Sequence, residues 1–496
     1  MTIPFKNIPQ NLRTPLFYAE VDASQANTAQ ASQRALIVGQ IASGGTGVAD
    51  TPVLCQGIAD AKAQGGAGSI LALMAAAYIG ADPYGEVWLG PLADNGAGVA
   101  ATGSVLFAGP ATAAGTINLY VAGGRVQIPV LSGATAASLA TALAAAIAAN
   151  SDLPVTAAVD GANTAKVNLT AKNAGECGND IDLRMNYRNA AGGEATPAGI
   201  TVTLTAMAGG ATNPVLTNLL TNLHDKPFDF IVSPYTDSTS LAAFTALLND
   251  QTGRWSWQVQ IYGHVFTAKR ASYAGLATFG VTQNDPHSTA LGVYDSPTPA
   301  FVWAAAVAGA AAASLRADPA LPLQTVTIPG VLPPPLTSRF TLSQRNALLY
   351  DGISTFTVQQ GGVVAIENLI TTYQKNAFGQ PDNSLLEVET LFTIAAVLRR
   401  LAAVITSKFA RVKLASDGAR IAPGSAIVTP KVVRGALIAE YRAMESDGLV
   451  QDAAVFAANI VVQRNSTNPN RLDVLWPGTL IGQLRQLALL LQFRLQ

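Results

Sequence analysis

The stretch Arg34-Ala-Leu-Ile-Val-Gly-Gln40 decides the fold class. A short apolar run bounded by polar residues predicts a strand buried on both faces, which is typical of a parallel sheet covered by helices. After a Gly-rich loop, the segment Ser69 to Tyr78 predicts a helix that packs through Leu71, Met74 and Ala75. These two elements predict the start of an α/β unit.

The same alternation returns later in the chain. The pattern predicts a helix from Asn213 to about Leu223, a strand at Phe228 to Val232, a helix at Ser238 to Leu248 and a strand at Gln258 to Tyr262. Strands that alternate with helices imply a largely parallel sheet. The longest apolar run, Ala300 to Leu315, contains Gly309 and is shorter than the roughly 18 to 20 residues of a membrane span, so it predicts a buried helix.

Between about Leu92 and Gly210 the chain changes to short strand patterns separated by Gly and Asn turns. The expected elements are strands at Gly103 to Ala108, Thr116 to Val121, Arg125 to Leu131, Pro154 to Val159 and Ala165 to Ala171, and a helix at Ala134 to Asn150. Gly123-Gly124 is expected to supply the positive φ angles of a hairpin turn. This region predicts a β-rich domain inserted into a surface loop.

The C-terminal part predicts two helices and two strands. Ser384-Leu-Leu-Glu387 matches a capping box, and apolar residues follow it at helical spacing. A second helix is expected at about Pro430 to Ser446, and strands at Asn459 to Gln463 and Leu472 to Trp476.

Both ends of the chain predict extended arms. Pro4, Pro9 and Pro15 exclude a regular helix near the N-terminus. The last ten residues place apolar side chains on one side of an extended chain, namely Leu487, Leu489, Leu491, Phe493 and Leu495. Ordering such an end costs about 1 to 2 kcal/mol per residue, so an apolar terminal strand requires a partner. That partner is either a strand of the same domain, or a neighbouring copy that the arm joins by strand addition.

Composition points to an assembly. The chain has 496 residues, of which 49% are apolar and only 12% charged, where a soluble domain typically carries about 25% charge. Such a surface favours an obligate oligomer. A net charge of −1 offers no general surface for nucleic acid. Two isolated cysteines, Cys55 and Cys177, and the lack of a secretory signal at Met1 indicate reduced thiols and a cytoplasmic origin.

Residue types that carry chemistry are sparse. His224, His264 and His287 do not form a metal-binding motif, and each is interpreted as structural. The Gly-rich stretches at 44–47 and 65–68 lack the spacing of phosphate loops and are interpreted as turns. Ser69 lies in an incomplete nucleophile motif. We therefore predict no catalytic residue, no cofactor and no metal.

One charge pattern allows two interpretations. Within 22 residues the only acid is Asp417, whereas the cations are Arg399, Arg400, Lys408, Arg411, Lys413 and Arg420. They form either a solvated helix face or a docking face for an acidic protein partner. Arg434, in the second helix, is a further docking candidate, although its neighbours of mixed charge suit intrahelical pairs equally well.

The chain resembles, over nearly its whole length, the tail sheath subunit of contractile-tailed bacteriophages, especially the Mu-like branch. The resemblance rests on the stretches Arg13-Thr-Pro-Leu-Phe-Tyr-Ala-Glu20, Gly68-Ser-Ile-Leu-Ala-Leu-Met74 and Leu349-Tyr-Asp-Gly-Ile-Ser354, and on the C-terminal order of two helices, two strands and an apolar tail. The implied fold is an α/β core with an inserted β-rich domain and a C-terminal α+β domain with extended terminal arms.

The resemblance implies six segments: an N-terminal arm (1–22), a first core part (23–91), the inserted outer domain (92–210), a second core part (211–358), a tube-facing C-terminal domain (359–478) and a C-terminal arm (479–496). The intersubunit arm residues would be Phe5, Ile8, Leu16 and Tyr18 together with the five apolar residues of the tail. Arg399, Arg400, Lys408, Arg411, Lys413 and Arg434 would dock the tube.

By the same resemblance, subunits form a helical homo-oligomer of stacked rings around the tail tube and contract to deliver the genome. The partners would be the tube, baseplate and tail terminator proteins, with no nucleic acid and no membrane insertion. The sheath would assemble in the host cytoplasm and reside in the virion.

Other classes remain open from the sequence. A pyocin-like or type VI-like sheath would share the mechanics, although the type VI sheath is usually divided between two chains. An α/β enzyme without a recognisable motif would need a nucleophile and a base. A viral adhesin or capsid-like shell protein would fit the composition but not the α/β centre with paired arms.

Overall fold

The computed structural model describes residues 33–422 and 424–495. The N-terminal arm, with Phe5, Ile8, Leu16 and Tyr18, therefore lies outside the described residues.

The helices and strands are numbered along the chain. The helices are α1 (Ile58–Gly65), α2 (Ile70–Ala81), α3 (Ala136–Ala149), α4 (Thr217–Asn222), α5 (Ser238–Leu248), α6 (Tyr273–Gly280), α7 (Ala300–Ala317), α8 (Leu342–Tyr350), α9 (Val388–Phe409), α10 (Pro430–Ser446) and α11 (Ala453–Asn459). The strands are β1 (Ala35–Gln40), β2 (Val53–Cys55), β3 (Val87–Leu92), β4 (Ala100–Ala108), β5 (Gly115–Val121), β6 (Gly124–Val130), β7 (Val155–Val159), β8 (Lys166–Ala174), β9 (Leu183–Met185), β10 (Thr201–Ala208), β11 (Phe230–Val232), β12 (His264–Arg270), β13 (Ser288–Val293), β14 (Thr355–Val358), β15 (Val364–Asn368), β16 (Lys413–Leu414), β17 (Ile427–Val428), β18 (Val450–Gln451), β19 (Val461–Arg464), β20 (Leu472–Leu475) and β21 (Thr479–Leu480).

A six-stranded sheet forms the centre of the α/β core. Its strand order is β13-β12-β11-β1-β3-β2, and every pair is parallel except β2 with β3. All six residues of β1 are buried, and Ala35 lies between Phe230 and Val87 of the neighbouring strands. The α/β fold predicted from Arg34 to Gln40 is confirmed.

Helices α2 and α7 pack closely on this sheet. A Cβ atom on Gly309 of α7 would lie 2.6 Å from the carbonyl oxygen of Tyr78 in α2, so glycine permits the close approach. At the ends of the two helices, Arg316 donates two hydrogen bonds of 3.0 and 2.9 Å to the buried carboxylate of Asp82. Helix α7 alone, among the described helices, is long and apolar enough to cross a membrane, but 72% of it is buried inside the protein. It is the predicted buried core helix.

Residues 100–208 build a second hydrophobic core of their own. Helix α3 packs against a four-stranded sheet (β10-β4-β8-β7) and a three-stranded sheet (β6-β5-β9). The chain leaves the α/β core after β3 and returns before α4, and the two connections meet where Asn95 Nδ2 donates to Asn213 O at 3.1 Å. The two chain connections are therefore adjacent, and side-chain contacts such as Arg184 with Asp295 (2.5 Å) and Asn173 with Ile70 N (3.0 Å) also join the unit to the core.

Three local predictions are wrong. The predicted β5–β6 hairpin forms, but its turn places Ala122 and Gly123 at positive φ (52° and 81°), whereas Gly124 already belongs to β6. The strand expected at 258–262 is a turn with positive φ at Gln260 and Tyr262, and β12 begins two residues later. The capping box is also absent, because α9 begins at Val388 and the Ser384 hydroxyl bonds to Asp382 instead.

Candidate functional site: the C-terminal interaction surfaces

An aromatic cluster holds the C-terminal unit together. The rings of Tyr441 in α10 and Phe456 in α11 stack with centroids 3.8 Å apart, and Trp476 packs against both. The Tyr441 hydroxyl donates to Gln451 O at 2.6 Å and accepts from Thr479 N at 3.0 Å. Helix α10 thereby fixes the start of the final segment of the chain.

The chain ends in an exposed apolar tail. Strand β21 pairs with β18, and residues 481–495 beyond it form no helix or strand. Five apolar side chains of the tail are between 75% and 88% exposed: Leu487, Leu489, Leu491, Phe493 and Leu495. The predicted terminal strand is thus not formed within the subunit, because no described segment of the same chain pairs with it.

A two-stranded hairpin in the same unit has open edges. Strands β19 and β20 pair only with each other in the described part of the chain. Val461, Val474 and Leu475 are 43%, 44% and 63% exposed. An isolated hairpin is marginal in water, and its outer edges present unpaired backbone groups to any further strand. The unit therefore has both an unpaired apolar segment and open strand edges.

Three of the six predicted docking cations have partners within the subunit. Arg399 contacts the buried carboxylate of Asp229 at 2.5 Å, and burial raises the pKa of Asp229 while Arg399 opposes that rise. Arg400 bridges Glu440 and Asp447, and Arg434 donates to the carbonyl oxygens of Ala457 and Ile460. These side chains tie α9 to the α/β core and to α10, and α10 to α11.

The other three cations form an exposed basic patch, defined here as Lys408, Arg411 and Lys413. They lie at the end of α9 and just beyond it, and all three are exposed. None makes an ion pair with a described residue. Asp417, the single acid in the stretch from 399 to 420, accepts a hydrogen bond from the backbone of Lys431. The patch is free to meet an acidic surface.

The histidines have structural surroundings. His264 Nε2 lies 2.7 Å from Thr289 Oγ1, and burial lowers the pKa of His264 well below its usual value. His287 stacks on Trp255 and contacts Asp250 at 3.0 Å. His224 is exposed. No group of three or more His, Cys, Asp or Glu side chains in residues 33–422 and 424–495 is placed to hold a metal.

The remaining enzyme-like features are also structural. Ser69 is fully buried and caps α2 by accepting a hydrogen bond from Ala72 N at 3.0 Å. The first Gly-rich loop is held against the end of α1 as a turn, with Ala42 N just before it donating to Gly65 O and Gly47 N donating to Gln64 O. A groove of about 320 Å³ beside β14 has no acid, histidine or cysteine in its lining.

Three family models match the chain. They describe the phage tail sheath protein beta-sandwich domain (residues 96–202), the central domain (209–372) and the C-terminal domain (380–494). The Mu-like prophage FluMu tail sheath protein of Haemophilus influenzae is 41% identical over 495 residues, which cover 99% of this chain and 100% of that protein. This chain belongs to the phage tail sheath family. A sheath subunit is a structural component of a contractile tail and not an enzyme.

Solved structures similar to this sheath chain also carry sheath names. The sheath tail protein of Desulfitobacterium hafniense aligns with a TM-score of 0.49 at 13% identity, covering 95% of this chain and 97% of that one. The sheath tail protein of Listeria innocua gives 0.48 at 14%, covering 92% and 94%. The contracted helical sheath of the anti-feeding prophage gives 0.43 at 12%, covering 98% and 100%.

Sequence reasoning did not single out Arg485, although it is the single cation between Arg471 and Arg494; its contacts are described below.

Proposed function

We propose that this subunit polymerises with copies of itself into stacked rings around a tail tube, and that contraction of the polymer drives the tube through the host envelope during genome delivery. The exposed apolar tail beyond β21 carries the proposal, since it is a strand pattern without a partner among the described residues of its own subunit. Strand addition joins such a tail to a neighbour through backbone hydrogen bonds. Such a link can persist while the domains that it connects rotate.

The open β19–β20 hairpin is the proposed acceptor. It lies in the same unit as the tail and offers free edges next to Val461 and Leu475. A strand laid on either edge gains main-chain hydrogen bonds along its length. The N-terminal arm, residues 1–22, is proposed as a second linking strand. The remaining proposed domains are the first core part (23–91), the inserted outer domain (92–210), the second core part (211–358), the C-terminal domain (359–478) and the C-terminal arm (479–496).

The C-terminal domain is proposed to face the tube, with the inserted unit outside. The exposed basic patch would then meet an acidic surface of the tube protein, since its charges have no ion-pair partner in the part of the subunit that the structure describes. The Arg411→Glu, Lys413→Glu double variant should lose co-sedimentation with tube protein. Arg442→Glu, which reverses an exposed cation of α10 outside the patch, should retain it. Equal binding by both variants would exclude the patch as the docking surface.

Baseplate and tail terminator proteins are the remaining proposed partners, with assembly in the host cytoplasm. The proposed energy source is a metastable extended lattice that relaxes into one with larger contacts, so no nucleotide is needed. A pyocin-like injection system would use the same mechanics, and the neighbouring genes decide between the two, because only a phage requires head and packaging proteins.

The first experiment is overexpression of the chain alone, followed by negative-stain electron microscopy. Hollow, ridged cylinders wider than a tail tube are expected from the complete chain. A chain lacking residues 487–496 should remain folded and monomeric. Cylinders from the truncated chain would refute the role of the tail. A complete chain that stays monomeric with tube and baseplate proteins present would refute the sheath assembly.

A further inference from the structure

The guanidinium of Arg485, just before the exposed tail, lies against a pair of largely buried carboxylates. Its Nη2 atom lies 2.9 Å from Glu389 Oε1 and 3.1 Å from Glu387 Oε2, at the N-terminus of α9. The side chain of Glu389 is fully buried, and those of Glu387 and Arg485 are 22% and 19% exposed. Burial raises the pKa of Glu387, and Arg485 counteracts that rise. The arginine therefore supplies a positive charge to two carboxylates that have little contact with water, and Leu323 N also donates to Glu389 Oε1 at 2.7 Å.

Neighbouring contacts fix the same short segment. Gln483 Nε2 donates to Ala320 O at 3.0 Å, and Gln324 Nε2 donates to Leu484 O at 3.1 Å. Arg485 Nη1 donates to the Asn368 side chain at 3.2 Å. Residues 483–485 are thus held by the segment after α7, by the end of β15 and by the start of α9.

Side chains alternate between exposed and half-buried up to Arg485, with Leu484 70% exposed, whereas every described side chain from residue 486 onward is exposed. Arg485 itself is 19% exposed and Leu487 is 76% exposed. Breaking a buried ion pair by removing one partner is strongly destabilising, because the other charge remains buried without compensation. The guanidinium is also fixed within its own segment, because Arg485 Nη2 and Nε donate to Gln483 Oε1 at 2.6 and 3.0 Å. The tail therefore has a fixed point at Arg485 and a free segment beyond it.

We propose that Arg485 is the anchor of the C-terminal arm: the linker between subunits is residues 486–495, and force on that linker enters the subunit body through Arg485 and the two carboxylates at the start of α9. This inference rests on the proposed function, since it assigns a mechanical role to the root of the linking arm. Arg485 is a positioning residue that acts through the arm.

The test compares Arg485→Gln with Arg494→Gln, which removes an exposed cation further along the same arm. Hydrogen exchange of the soluble full-length subunit should be at least about 10-fold faster at residues 479–486 in Arg485→Gln, a loss of about 1.4 kcal/mol of local stability. Exchange in β1 should be unchanged in both variants. If Arg485→Gln does not fold, Arg485→Lys is measured in its place. Because the lysine keeps the charge, its exchange at residues 479–486 should be faster than in the unaltered chain, but by less than about 10-fold.

Assembly supplies the second measurement. Sheaths of Arg485→Gln subunits should break into short segments when contraction is triggered with dilute urea, and sheaths of Arg494→Gln should contract whole. Unchanged exchange at 479–486, or intact contraction of Arg485→Gln sheaths, would overturn the anchor. If the unaltered chain does not polymerise, the proposed function fails, and the exchange measurement still decides whether Arg485 anchors the arm.

Discussion

Replacing single leucines of the tail tests whether it docks as a strand. Leu489 and Leu490 are adjacent, chemically identical and similarly exposed, at 81% and 82%. In an extended chain they point to opposite faces, and only Leu489 shares the face of Leu487 and Leu491. Leu489→Ala should therefore weaken assembly, and Leu490→Ala should not. A tail that docks as a helix would place Leu490 beside Leu487 and reverse the result.

The magnitude follows from the exposure of the tail. Burying one leucine side chain contributes about 1.5 to 3 kcal/mol, so the five apolar residues supply roughly 7 to 15 kcal/mol. Ordering the nine residues from Leu487 to Leu495 costs roughly 9 to 18 kcal/mol. The two terms nearly cancel, and the ladder hydrogen bonds supply the remainder. Docking is thus marginal, and Leu489→Ala should cost about 2 kcal/mol, which corresponds to roughly a 30-fold change in affinity.

The assay is the critical concentration for polymerisation, measured by sedimentation of serial dilutions. Leu489→Ala should raise it roughly 30-fold, and Leu490→Ala should change it less than about 3-fold. Equal effects of the two substitutions, or a larger effect at Leu490, would refute docking as a strand with one buried face. Both variants should unfold at the same urea concentration as the unaltered chain, because both leucines are exposed in the subunit.

Three further predictions concern the subunit itself. Asp82→Ala should lower the free energy of unfolding by about 3 kcal/mol in urea titration, because it leaves Arg316 without its carboxylate; a loss below about 1 kcal/mol would contradict this. Gly309→Val should cost about 1 to 3 kcal/mol in the same titration, since a Cβ would contact the backbone of Tyr78, and an unchanged midpoint would show that the helices separate freely. Burial raises the pKa of Asp180 to about 6, above its unfolded value near 4, so its charge opposes folding increasingly as pH rises from 4 to 6; Asp180→Asn should stabilise the protein at pH 8 but not at pH 3, and an equal effect at both would contradict it.

Elements whose apolar side chains are buried in the folded subunit were predictable from the sequence. The run at Arg34 to Gln40 became β1, the Ala-rich run became α7, and Ser238 to Leu248 became α5 with the same bounds. In each case one local pattern agrees with burial in the finished fold. The alternation of apolar residues in the tail could also be recognised in the sequence. Whether a strand of the same domain pairs with the tail depends on the tertiary structure, which the local pattern does not contain.

The errors have physical reasons. Strand β12 begins with the polar His264 and ends with Lys269 and Arg270, so its pattern is less apolar than the preceding turn at 258–262. The Ser384 capping box failed because Asp382, two residues earlier, competes for the serine hydroxyl. Arg399 and Arg400 look like surface charges in sequence, because Asp229, Glu440 and Asp447, which pair with them, lie 40 or more residues away.

The unit built from residues 100–208 enters and leaves the core at one place, where Asn95 bonds to Asn213 and Val99 pairs with Ala211. If the residues between these two points were replaced, the core would pay no additional loop-closure entropy, because the two chain ends at the junction already lie side by side. An exchange of the unit would therefore have to replace only its contacts with the core, such as those of Asp182 with Arg270 and of Arg184 with Asp295. A guest domain whose own termini lie side by side could be displayed at this junction once per subunit, which makes the chain a scaffold for presenting antigens or enzymes at regular spacing.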